Sequence, residues 1–140
     1  MIAAILMMLA QAMSAGDGLP IAPLPAQSLP TTGCAAYLFA PGDKPVFLAL
    51  AGADPAQLRV SLDGKVIDLP RTMQSGAGSF GFAGTAEYAA GAVKAVLDMK
   101  IVTRADLKDG AAVSDATLRI DRDGADSVVV PVAGIVACAK

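Results

Sequence analysis

The sequence predicts an all-β fold: a small antiparallel β-sandwich or open barrel of about seven to eight strands, following an N-terminal signal helix. Three observations carry this. Short apolar runs recur along the chain, each stopped by Asp-Gly, Pro or Gly. Two segments alternate apolar and polar side chains with the period of two that strands require. The only two cysteines, Cys34 and Cys138, stand near the ends of the region that holds these runs.

The chain opens with Met1–Ala15, in which Gln11 and Ser14 are the only polar side chains. An apolar core followed by small residues is the pattern of a secretory signal peptide. Ala10-Gln11-Ala12 fits the small-x-small cleavage rule, and Ser14-Ala15-Gly16 is a second candidate. No Lys or Arg precedes the run, so the start lies upstream or the signal is a weak one. An uncleaved anchor is the main rival, but the run is shorter than the ~20 residues a spanning helix needs. An ordinary buried helix is the third option. Lipidation of Cys34 is disfavoured, because Thr31 stands where a lipobox carries Leu and a proline-rich stretch separates Cys34 from the leader. The organisation is therefore a signal peptide at 1–15, a proline-rich linker at 16–33 and one β-domain at 34–140.

Leu19–Pro30 places four prolines in a short stretch. Such a segment cannot be helical and favours extended polyproline II. It reads as a stiff spacer before the domain; the alternative is a ligand for an aromatic groove.

The domain begins with Ala35–Phe39, stopped by Pro41-Gly42-Asp43, and Val46–Leu50, stopped by Gly52 to Pro55. Next, Leu58–Leu62 and Lys65–Leu69 flank Asp63-Gly64. Asp-Gly tolerates the positive φ angles of a type I′ turn, which predicts a two-residue hairpin. Counting outward pairs Leu62 with Lys65, Val60 with Ile67 and Leu58 with Leu69 on a buried face. Arg59 then stands opposite Asp68 on the other face, an ion pair worth at most about 1 kcal/mol.

Arg71–Gly91 is rich in Gly, Ala and Ser and carries Phe80, Phe82 and Tyr88. It admits a short strand through Phe80 and Phe82. It also admits an Ala-rich helix over Thr85–Leu97, against which Gly84 and Gly91 argue. Val93–Arg104 alternates strictly, with Ala95, Leu97, Met99 and Ile101 inward. Thr117–Arg122, Asp123-Gly124 and Ser127–Val132 read as a second hairpin, and Ile135–Ala139 as the last strand.

The chemistry is restricted. There is no histidine, the formal net charge is −2 and aromatics make up 4% of the chain. No block of like charge occurs, so nucleic acid and anionic membrane are poor partners. The scarcity of aromatics also argues against an outer-membrane barrel, which carries aromatic girdles. The cysteines are too far apart for a Cys-x-x-Cys redox pair and too few for zinc, leaving a structural disulfide. That bridge would close a loop of roughly 100 residues, worth about 4.7 kcal/mol in the chain-entropy treatment.

Asp115, Asp121, Asp123 and Asp126 cluster, but position twelve counted from Asp121 is Val132 where a calcium loop needs Glu. Many of the aspartates adjoin Gly or Pro, where a short acid suits turns. Ser75–Gly81 is Gly-rich without a phosphate-loop ending or a nucleophile elbow. A Ser–Lys dyad with Lys94 or Lys100 is the remaining catalytic option.

The sequence thus points to an exported domain of the bacterial type, in the periplasm or cell envelope, without catalysis, metal or cofactor. Its expected partner is a protein or envelope component of unknown identity, and its only membrane contact is the leader before cleavage. Phe80, Phe82 and Tyr88 mark a binding loop on this reading; otherwise they plug the end of the core. A surface-fibre subunit is the alternative function, and a Ser–Lys or carboxylate hydrolase a more distant one.

Overall fold

The computed structural model describes residues 20–139; the leader expected at 1–15 lies outside them. Nine strands form: β1 (Ile21–Ala22), β2 (Cys34–Ala40), β3 (Val46–Ala53), β4 (Ala56–Leu62), β5 (Lys65–Ser75), β6 (Thr85–Ala90), β7 (Val93–Val102), β8 (Gly110–Arg122) and β9 (Val128–Cys138). From β2 onward each strand pairs antiparallel with the next, and β9 returns to β2. The all-β antiparallel fold expected from the sequence is present, and the sheet closes into an eight-stranded barrel with β1 as an extra strand. Closure removes the edge strands that an open sheet would leave exposed.

The Asp63-Gly64 hairpin has the register read from the sequence, from Gln57 opposite Pro70 to Leu62 opposite Lys65. Both turn residues take positive φ, 50° and 81°, as a type I′ turn demands. Leu58, Val60, Leu62 and Leu69 are buried inside, and Ile67 is half-buried. On β7, Ala95, Leu97 and Met99 face the interior, while Lys94, Asp98 and Lys100 face out.

Thr85–Ala90 is a strand, so the helical reading of Thr85–Leu97 is incorrect. Its Ala residues suit either state, and pairing to β5 and β7 decides it. The last two runs expected after Asp123-Gly124 are one strand, β9, which passes through Pro131 and Gly134. Pro131 lies beyond Ala133, the last β9 residue paired to β2. One side of β9 there has no ladder for proline to interrupt.

Side chains fill the barrel. Small residues (Ala36, Ala49, Ala51, Ala86, Ala95, Ala111, Ala116) alternate with large ones such as Leu38, Leu97, Leu118 and Ile120. Eight strands leave an interior just wide enough for such packing.

The two ends differ. One carries short connections: 41–45, Asp63-Gly64, Gly91-Ala92 and 123–127. There Arg122 donates to Asp63 at 2.8 Å, tying two hairpins together. The other end carries the longer loops 76–84 and 103–109, the Asp54-Pro55 turn and both cysteines.

The proline-rich segment, expected as a spacer, lies against the barrel as a strap. It starts at the hairpin end, where Ile21 and Ala22 pair with Leu62 and Ser61 of β4. It finishes at the loop end, where Thr32 Oγ1 donates to the Asp54 carbonyl.

Candidate functional site

Cys34 and Cys138 are bonded, 104 positions apart in sequence. They are directly opposite residues of β2 and β9, the two strands that close the barrel. The Cys138 amide donates to the Asp109 carbonyl, and the Ala139 amide to that of Gly33. The bridge is thus held among strand ends and loops of one pole. A disulfide there is consistent with an oxidising compartment.

Phe80 and Phe82 lie in the 76–84 loop at the loop end, whereas Tyr88 lies in β6, opposite Arg71 and Ala95 and near the Gly91-Ala92 turn. The Ser79–Phe82 turn, closed by the Phe82 amide on the Ser79 carbonyl, folds back over the opening. Phe82 and Tyr88 are buried in the core and Phe80 packs against it. Their contact with solvent is small, which limits what they offer a partner. Phe80 holds a φ of 60°, a costly conformation for a bulky residue.

Tyr88 is 1% exposed and its hydroxyl meets no protein hydrogen-bond partner. Burial raises its pKa above the ordinary value of 10.0, and the nearby charge of Arg71 opposes this. Tyr88→Phe keeps the packing and removes a desolvated hydroxyl, so it should leave stability unchanged or raise it by about 1 kcal/mol. A urea melt that loses more than this would reveal a partner for the hydroxyl. The raised pKa also sets a pH dependence. The folded state holds the phenol proton more tightly than the unfolded chain, so this contribution is complete below pH 10 and declines as pH rises above it. Phenolate absorbance should therefore appear late and together with unfolding.

Among the described residues no three acidic groups converge as metal ligands. Asp121 accepts hydrogen bonds from Ser127 and Arg119, and the Ser127 bond chiefly lowers its pKa. Lys100 stands opposite Asp115 and Lys94 opposite Asp121 in the β7–β8 ladder. Ser79 and Lys100 border one shallow cleft, with Met99 and Ile101 between the strands and the loop. Both are exposed to solvent.

The most structured surface feature lies elsewhere, between the strap and the outer face of β2, β3 and β4. Tyr37, Phe39 and Phe47 form an aromatic row there, with centroids 6.0 Å apart for Tyr37–Phe47 and 5.2 Å for Phe39–Phe47. Tyr37 donates through its hydroxyl to the Ser28 carbonyl at 2.7 Å. Arg59 binds Asp68 through two nitrogens, at 2.7 and 3.0 Å, and reaches Gln27 Oε1 at 2.7 Å with a third. The Asp68 hydrogen bond is the main cause of the raised Arg59 pKa. A cavity of about 220 Å³ remains beneath the strap, bounded by Leu29, Pro30, Ala35, Tyr37, Leu50 and Arg59.

Sequence reasoning missed this site, although a signal was present. Ile21, Leu24, Gln27 and Pro30 are the strap residues that turn toward the barrel at every third position, the repeat of polyproline II. The class defined by this architecture is a closed eight-stranded antiparallel barrel with a filled interior and an external proline-rich strap. No family, no curated protein and no solved structure matches the chain.

Proposed function

We propose that this chain is an exported, non-catalytic domain of the periplasm or cell envelope that acts by binding at its outer surface. The observation that carries this reading is the filled barrel. Its interior is occupied by the chain's own side chains, so recognition falls to the exterior, where the strap and β2–β4 make a mixed apolar and polar cavity. The disulfide and the apolar leader support export.

The fibre reading has less support. A closed barrel offers no long strand edge for a neighbour to extend, and among the described residues the only added strand is the two-residue β1. Hydrolysis has less support too, since Ser79 and Lys100 both lie exposed to solvent.

Intact mass of the chain recovered from the exported fraction, with and without reductant, tests export. The expected species begins within the small-residue stretch after the leader and gains two hydrogens on reduction. A chain retaining Met1–Ala15, or one carrying a lipid on Cys34, would contradict the assignment. Turnover in an esterase, peptidase or glycosidase screen would overturn the non-catalytic part.

A further inference from the structure

We propose that the outer face of β2–β4 is a recognition groove for extended, proline-containing peptides with an apolar side chain at every third position, held in cis by the chain's own strap. The inference rests on the reading of the chain as a binding domain and names the partner's chemistry.

Four observations carry it. First, strap burial repeats in threes: Ile21 and Leu24 are 4% and 6% exposed, and Gln27 and Pro30 are half-covered. Of the intervening residues, Ala22 is half-covered through its pairing with β4, and Pro23, Pro25, Ala26, Ser28 and Leu29 are exposed. A three-residue repeat is how a polyproline II helix presents one edge. Second, the receiving surface has the chemistry such a helix needs. Polyproline II has no internal hydrogen bonds, so its carbonyls accept from outside, and aromatic walls suit its apolar edge. Here the Tyr37 hydroxyl donates to Ser28, and Tyr37, Phe39 and Phe47 form the wall.

Third, the strap is a distinct layer. Ile21 joins the barrel core cluster, but Leu24, Ala35 and Tyr37, further along the strap and beneath it, are buried and stand apart from that cluster. Strand pairing involves Ile21 and Ala22, the Asp63 amide donates to the Pro20 carbonyl, and beyond these Leu24 adds one amide hydrogen bond to the Phe47 carbonyl. Few backbone bonds hold it, which marks a segment of low local stability. Fourth, the strap does not fill its site. The cavity of about 220 Å³ lies under its C-terminal half, while Leu29 at its border is 72% exposed. A peptide with a bulkier apolar residue at this register would occupy space that the strap leaves.

A covalently attached strap competes at high effective concentration. The apparent affinity for a peptide in trans is therefore reduced by the fraction of molecules with the groove open. The test uses the full chain and a fluorescein-labelled peptide of sequence Leu19–Thr32, read by polarisation. Loosening the strap with Leu24→Ala, and further with Leu24→Asp, should tighten binding in that order, by roughly ten-fold or more for the second. The same peptide carrying its own Leu24→Asp change should bind neither variant.

Near-ultraviolet circular dichroism establishes that each variant keeps its barrel, and Leu24→Ala serves if Leu24→Asp does not fold. Equal binding of the two peptides, or no binding to a folded Leu24→Ala variant, would overturn the groove. That negative would leave export and the lack of turnover standing, because mass and activity measurements read those separately.

Discussion

Removing the bridge by Cys34→Ser, Cys138→Ser or reduction is expected to lower stability by about 4–5 kcal/mol. The loop it closes spans 104 positions, and freeing a loop of that size returns much conformational entropy to the unfolded chain. A loss of that order should move the melting temperature down by on the order of 15 °C. The location adds to the effect. The cysteines join β2 to β9, the one neighbouring pair in the barrel that is distant in sequence. All other pairs in the ring are consecutive strands, the longest connection being 76–84. The bridge thus holds the contact that costs most chain entropy to make. Thermal unfolding with and without reductant measures this, and equal midpoints would contradict it.

Gly134→Ala is expected to cost about 3 kcal/mol or more, through the same seam. Gly134 lies opposite Leu38 on one side and Val113 on the other. A Cβ built on it falls 1.8 Å from the Tyr37 carbonyl oxygen and 2.9 Å from that carbonyl carbon. Backbone atoms of a paired strand cannot rotate aside as a side chain can. β2 and β9 would have to separate locally, which breaks the ladder beside a closely packed interior. Gly91→Ala is the control: its Cβ would meet nothing within 4 Å, and only its φ of 57° opposes the change. That costs roughly 1–2 kcal/mol. Chemical denaturation should rank the two variants clearly. A Gly134→Ala protein as stable as the control would show that the seam can widen freely.

These two sites also mark where the sequence was readable and where it was not. Local signals were sufficient for the Leu58–Leu69 hairpin, because Asp63-Gly64 fixes the turn and the turn fixes every pair beyond it. Val93–Val102 was equally clear, since charges on alternate positions leave one possible inner face. Closure was not readable. Nothing local in Cys34–Ala40 or Val128–Cys138 states that they are neighbours, although the two cysteines hinted at it. The Thr85–Ala90 strand was ambiguous because alanine is apolar at either period and a good helix former. The binding surface was obscured for a different reason. Prolines suggested a spacer, while the informative pattern was the three-residue spacing of Ile21, Leu24, Gln27 and Pro30. The aromatics that drew attention, Phe82 and Tyr88, turn inward and join the core.

The strap and the bridge together determine how the domain would carry load. The strap begins with Pro20 at the hairpin pole, and Ala139 lies at the opposite one. Tension between them runs along the strap to Cys34, across the sulfur–sulfur bond and out through Cys138. Residues 35–137 lie outside that covalent route. A pulling force would strip the strap from β2–β4 while the barrel stayed folded, exposing Tyr37 and Leu50 as it did so. With the bridge reduced, the same force would pass through every strand.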